Sequence, residues 1–184
     1  TVDELPNHLK HHWPELRSQL ETGCYYPQPV KRVHIPKGNG KTRPLGIPTV
    51  VDRFIQQAIA QVISAHWEPH FHAHSYGFRP NRSAHHAVRH VQSTVRAGYG
   101  WIVDMDLESF FDRVNHDRLM VRLKRHTGDA VLLRLINRFL KAGVWEDGQI
   151  MATTTGVPQG GSLSPVLANV VLDNSIGNYS AAAT

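Results

Sequence analysis

Two aspartates stand two residues apart, Asp104 and Asp106, in the run Val103-Asp-Met-Asp-Leu-Glu-Ser-Phe-Phe-Asp112. On an extended strand that spacing puts both carboxylates on one face. Hard divalent cations take oxygen ligands, and Mg²⁺ is usually held by one or two carboxylates together with substrate phosphates. The backbone carbonyl of Leu107 could join such a set. A carboxylate at a strand end that opens on a basic groove suits two-metal phosphoryl transfer. The same residues also suit an acidic strand terminus that leads into a helix N-cap.

A basic groove has a source in residues 31–43, where Lys31, Arg32, Lys37, Lys41 and Arg43 surround the turn Lys37-Gly-Asn-Gly-Lys41. Glycines let a backbone come close to a ligand, and Lys and Arg supply charge for phosphates. An ordinary solvated edge hairpin would use the same residues, because Lys and Pro blunt sheet edges. A third feature is Pro158-Gln-Gly-Gly161. Its glycines permit close approach by a base pair or a sugar, and Gln159 has donors and acceptors to read one. A tight turn before a helix has the same composition. Histidine is abundant, with 13 residues, and His66, His70, His72 and His74 crowd one stretch. Zinc needs three or four convergent ligands, and neither a His-Glu-x-x-His pair nor a cysteine partner accompanies them, so solvated or capping roles account for them better. No Gly-x-Ser-x-Gly elbow and no phosphate-binding GxxxxGK[ST] loop is present.

The positioning elements follow from pattern. Residues 3–21 have helical periodicity, with Pro14 as a point of kinking or division. Residues 30–36 and 42–47 read as two strands around Asn39-Gly40, a dipeptide suited to the positive φ of a tight hairpin, with Pro44 placing the second strand at an edge. Asp52 suits the cap of a helix whose stripe is Phe54, Ile55, Ala58, Ile59, Val62, Ile63 and Trp67, ended by Pro69. After a loop over 70–80, Ser83 suits the N-cap of a helix with Ala84, Ala87, Val88, Val91 and Val95 on one face. Residues 100–106 read as a buried strand that ends in carboxylates. Helical pieces follow near Phe110-Phe111, over 115–126 and over 131–140. A hairpin is expected over 144–153, then the glycine-rich loop 155–161 and an apolar helix over 164–172. Residues 175–184 are small, polar and weakly patterned, like a tail or a cut edge. The sum is mixed α/β without regular strand–helix alternation.

Composition narrows the class. The 184 residues are 41% hydrophobic and 19% charged, which excludes a disordered chain. Lys and Arg total 20 against 15 Asp and Glu, a surplus of +5 that favours an anionic partner such as nucleic acid. The single Cys24 rules out an internal disulfide and fits a reducing cytosol. No apolar run reaches the roughly 18 residues of a membrane helix, and no secretory signal opens the chain.

Taken in order, the pieces carry more than each alone. Ile35-Pro-Lys-Gly-Asn-Gly-Lys-Thr-Arg-Pro-Leu-Gly-Ile-Pro48, Asp52-Arg-Phe-Ile-Gln-Gln57, Ser75-Tyr-Gly-Phe-Arg-Pro-Asn-Arg-Ser-Ala84, Asp104-Met-Asp-Leu-Glu-Ser-Phe-Phe-Asp-Arg-Val-Asn-His-Asp117 and Gly156-Val-Pro-Gln-Gly-Gly-Ser-Leu-Ser-Pro-Val-Leu-Ala-Asn169 together closely resemble bacterial group II intron reverse transcriptases, the intron-encoded maturases. The resemblance covers nearly all of residues 5–173.

It implies an α+β right-hand polymerase: fingers over 1–99, helix-rich with a basic hairpin, an incomplete palm with its strands over 100–173, and a divergent tail over 174–184. It implies an RNA-directed DNA polymerase that uses an RNA template, a DNA primer and deoxynucleoside triphosphates. It also implies intron RNA binding, Mg²⁺ or Mn²⁺ as cofactor, a bacterial cytoplasmic location and no membrane. By the resemblance Asp106 is the first catalytic metal aspartate and Leu107 lends its carbonyl to the same ion. Asp104 stands behind them. Lys37, Arg43 and Arg79 hold the triphosphate, Gln159 contacts the nucleotide sugar, and Phe111 is the steric gate against a ribose 2′-OH. The family's Tyr-x-Asp-Asp hairpin has no counterpart here, so the chain reads as a fragment inactive alone. A non-catalytic RNA-binding fingers module is the alternative, and a metal nuclease built on Asp104, Asp106 and Asp112 is a third.

Overall fold

Leu5, Leu9, Leu16 and Leu20 recur at helical spacing, and they lie along α1, Leu5–Glu21, which passes through Pro14 without dividing. The computed structural model describes residues 1–38 and 40–182, with side-chain surroundings through Asp173. Val30–Lys37 forms β1 and Lys41–Ile47 forms β2, paired antiparallel from Lys31 opposite Ile47 to Lys37 opposite Lys41. Gly40 takes a φ of 72°, as a tight turn requires; Asn39 lies outside the described residues. Pro44 sits in β2, the outer strand, where its missing N–H removes no ladder bond.

Helix α2, Val50–Trp67, starts three residues earlier than a cap at Asp52 would place it. Thr49 is its N-cap and accepts from the Asp52 amide at 3.1 Å. Asp52 instead turns inward and is buried. Its carboxylate accepts from the Thr49 hydroxyl at 2.6 Å, the Tyr25 hydroxyl at 2.7 Å and the Gln28 amide at 3.2 Å, which ties the strap before β1 to α2. Burial, then the bond to the Asp52 carboxylate, pushes the Tyr25 phenol well above its ordinary range.

A 3-10 turn, Glu68–His70, leads to the loop before α3, Ala84–Arg96, capped by Ser83. Then come α4, Phe110–Arg113, α5, His116–His126, and α6, Ala130–Leu140. Strands β3, Val144–Glu146, and β4, Gln149–Met151, form the expected hairpin, and α7 runs Ser164–Ala182. The helix thus continues past residue 175, where a loss of regular structure was expected. The sheet order is β2-β1-β3-β4, with β1 parallel to β3. The core gathers Ile55, Ile59 and Ile63 of α2, Leu119 and Leu123 of α5, Ile136 and Leu140 of α6, and Leu167 and Val170 of α7.

The expected strand over residues 100–106 is absent. Residues 100–106 are neither strand nor buried: Trp101 is 95% exposed, Val103 80% and Met105 61%. A strand is stable only when its amides and carbonyls find a partner strand, and none of the four strands of the sheet pairs with this segment. The apolar face of α3 beside it is likewise exposed at Val88, Val91 and Val95.

Candidate active site

The β1–β2 turn, residues 105–112 and the Pro158-Gln159 loop border one open cleft of about 770 Å³. Lys37, Lys41 and Arg43 give it a basic wall, and Asp106, Glu108 and Asp112 an acidic one. Leu107, Phe111 and Gln159 line it between them. Six of the eight residues singled out from the sequence therefore meet here. Asp104 does not line the cleft, although it is two residues from Asp106. Arg79 is elsewhere.

The basic wall is tied to the glycine-rich loop. The Arg43 Nε donates to Gln159 Oε1 at 2.6 Å, and the Gly46 amide donates to the Gln159 carbonyl at 2.8 Å. The approach is close because both sides lack side chains at the contact. A Cβ on Gly46 would sit 3.2 Å from Pro158 Cβ of the loop and 2.8 Å from Val30 Cγ2 of β1, and one on Gly160 2.9 Å from the Gly46 carbonyl oxygen. Gly160 also has a φ of 119°, open to glycine alone without strain.

Phe111 is held by the same loop from below. The Val157 amide donates to the Phe111 carbonyl at 2.7 Å, and the Gly156 amide to the Val114 carbonyl at 2.8 Å. The buried His116 adds a 2.7 Å bond from Nε2 to the Gly156 carbonyl, so Nε2 carries the ring proton. In the sequence His116 stands out only as part of the run Asn115-His-Asp117. Its place at the start of an amphipathic helix was the available sign of a packing role. Lys41 was read as part of the basic hairpin but given no task, and its register opposite Lys37 puts it at the cleft mouth.

Arg79 is buried at 7% exposure. Its guanidinium forks onto Glu68, with Nη2 2.7 Å from Oε1, and Nη1 donates to the carbonyls of His72 and Ser75 at 2.7 and 2.9 Å. All of its reach is spent on closing the 68–79 loop.

The donor chemistry on the acidic wall suits one hard cation. Asp106 has its Oδ1 turned to the Leu107 amide at 2.9 Å, which fixes the carboxylate at the cleft edge beside the Leu107 backbone. Oxygen donors of this kind match Mg²⁺ shared with phosphate oxygens. Among the described residues no group of three or more His, Cys, Asp or Glu is gathered to hold a metal, so the nuclease built on Asp104, Asp106 and Asp112 lacks its cage.

A family model described as reverse transcriptase (RNA-dependent DNA polymerase) matches residues 35–183, a span that contains every residue of this cleft. The chain belongs to the reverse transcriptase family. It is 44% identical over 162 residues to protein YkfC of Escherichia coli strain K12, a match covering 86% of this chain and 42% of that protein. It is 44% identical over 154 residues to the group II intron-encoded protein LtrA of Lactococcus lactis subsp. cremoris, covering 83% of this chain and 26% of LtrA. The chain thus spans less than half the length of either relative. Among solved structures, a chain of a partial Cas6-RT-Cas1–Cas2 complex superposes with a TM-score of 0.58 at 27% identity, covering 94% of this chain and 30% of that one. Reverse transcriptases generally depend on divalent metal, and the α+β fold with its small four-stranded sheet accords with the family. Among the described residues no helix is long and apolar enough to cross a membrane.

Proposed function

We propose that this chain captures the incoming nucleotide for an RNA-directed DNA polymerase of group II intron type, which copies an RNA template onto a DNA primer and, in its complete form, binds intron RNA to assist splicing. On this reading residues 1–99 act as fingers and 100–173 as the first part of a palm, with 174–184 leading out of it. The observation that carries it is the meeting of Lys37, Arg43 and Gln159 with Asp106 and Phe111 across one cleft.

Phosphoryl transfer asks little covalent chemistry of a protein and much electrostatic positioning. Lys37 and Arg43 take the triphosphate oxygens, Lys as a point charge and Arg as a fork. Gln159 holds Arg43 until the triphosphate arrives and then faces the sugar. Phe111 fills the space a ribose 2′-OH would need. Asp106 and the Leu107 carbonyl would hold Mg²⁺ or Mn²⁺, which neutralises charge on the phosphates when bound. Asp104 supports that turn from outside the cleft. Arg79, assigned to the triphosphate by resemblance, orders the loop behind it. Asp106 and the Leu107 carbonyl make no two-ion cage, and among the described residues no group of three or more carboxylates or histidines gathers around them, so residues 1–184 alone extend no primer.

The test is deoxynucleoside triphosphate binding to the chain with Mg²⁺. Hydrogen bonds to charged groups contribute about 1.5–3 kcal/mol, so Lys37→Ala or Arg43→Ala each weakens binding by about tenfold or more. Equal affinity in wild type and both variants would contradict the assignment. In a protein that extends primers, Phe111→Ala raises the ratio of ribonucleotide to deoxyribonucleotide incorporation.

A further inference from the structure

The chain's positive charge is concentrated in two places. Residues 31–43 carry five cations and no acid. Residues 113–126 carry Arg113, Arg118, Arg122, Lys124 and Arg125 against Asp117 alone. The whole chain has a surplus of only +5, so acids outnumber cations elsewhere. Of the first group, Lys37, Lys41 and Arg43 line the cleft, while Arg32 pairs with Glu146 and Lys31 lies over the Trp145 ring. The second has no part in nucleotide capture.

Arg118, Arg122 and Arg125 stand at i, i+4 and i+7 on α5 and so share one face. Four residues of helix rise about 6 Å, a distance on the scale of the step between neighbouring phosphates of a nucleic-acid strand. Arg113 of α4 joins this row. With Arg118, Arg122 and Asn115 it lines a pocket of about 270 Å³ that has no carboxylate in its wall. Phe110 lines both this pocket and the cleft, so the two are neighbours.

Two of the three guanidiniums, those of Arg113 and Arg118, have no buried partner among the described residues. Arg122 donates to the carbonyls of Val170, at 3.2 Å, and Val171, which fixes its direction. The Arg118 guanidinium meets no acceptor among the described residues. Among the described residues Arg113 has only Glu108, at 3.5 Å, and both side chains are mostly in water, where such pairs contribute little. Planar guanidiniums gathered with a single, exposed counter-charge match phosphate oxygens, which they bind in forks.

We infer that Arg113 and the arginine face of α5 form a second phosphodiester-binding surface, which holds the backbone of an RNA strand beside the nucleotide cleft. This rests on the RNA-directed role proposed above and adds a contact surface to it.

The experiment titrates the 184-residue chain with a labelled oligouridylate over a salt series and reads deoxynucleoside triphosphate binding in parallel. Arg122 stays intact because it anchors α7. The Arg113→Ala, Arg118→Ala double variant binds the RNA more weakly at low salt by roughly a hundredfold, about tenfold for each lost contact. The slope of log K against log salt becomes shallower by about 1.4, since each phosphate contact on a single strand contributes roughly 0.7. Its triphosphate affinity stays at the wild-type value. Unchanged RNA affinity and slope in this variant, with triphosphate binding present, would overturn the surface and leave the cleft standing. Unchanged RNA affinity with lost binding to phosphatidylserine vesicles would overturn it too, in favour of a membrane contact. Absent triphosphate binding in the wild type would sink the cleft reading and leave the RNA result to judge the surface by itself.

Discussion

On the basic side of the cleft, Arg43 meets Gln159 at 2.6 Å and the Gly46 amide is bonded to the Gln159 carbonyl. On the acidic side, residues 100–107 pair with no strand and leave Trp101 95% exposed. The basic wall is positioned by its own packing: β1 is flanked by β2 and β3, and the glycine loop is seated on Gly46. The acidic wall is fixed at its C-terminal end, where Phe111 and Val114 are bonded to residues 156–157, and lies on the surface before that. Charge placement and backbone support are therefore separate properties of a site. Here the basic side has both, and the acidic side has the charge with support on one flank.

Substitutions can break that contrast. The largest effect is expected at Arg79. Removing one partner of a buried ion pair is strongly destabilising, and Glu68 is only partly covered, so Arg79→Ala costs about 3 kcal/mol in chemical denaturation. Triphosphate affinity changes little in the folded variant. A tenfold loss of affinity without a loss of stability would return Arg79 to the cleft.

Gly46→Val comes next. Its branched side chain must enter space where even a Cβ meets Val30 at 2.8 Å, and overpacking of this kind costs about 1–3 kcal/mol. The matching change on the other wall, Trp101→Ala, stays within about 0.5 kcal/mol, as surface substitutions do. A cost at Trp101 equal to that at Gly46 would mean that the acidic wall is packed after all.

The smallest effect is a pH dependence. His126 stacks on His70 with ring centroids 4.0 Å apart, and desolvation, then the charges of His70, His66 and Arg125, holds its imidazole below the ordinary value. The folded state then binds fewer protons than the unfolded one, so this contribution is present above the ordinary imidazole pKa and is lost as the pH falls through it. Melting temperature should fall between pH 7.5 and 5.5, and fall less in His126→Gln. An identical pH slope in the two proteins would remove the cluster from the account.

The helices and the basic hairpin were legible because their information is local. Ile55, Ile59, Ile63 and Trp67 keep one helical face, and Gly38 and Gly40 mark the turn that brings Lys37 and Lys41 together. The cleft was legible to the same degree, since six of its lining residues belong to ordered motifs. Partners distant in sequence were not. Arg79 reads as one more cation until Glu68 is found eleven residues before it. Asp52 reads as a cap until Tyr25 and Gln28 are found against its carboxylate. Residues 100–106 have a strand's composition, but composition does not state whether a neighbouring strand exists to pair with it.

The most direct test is RNA-templated primer extension by a protein of its relatives' full length that carries residues 1–184, compared with the same protein bearing Asp106→Asn. The substitution keeps the size of the side chain and removes the charge opposite Lys37 and Arg43. Extension by the parent and none by the variant is the expected result. Extension by both at similar rates would contradict the assignment of this cleft as the site of nucleotidyl transfer.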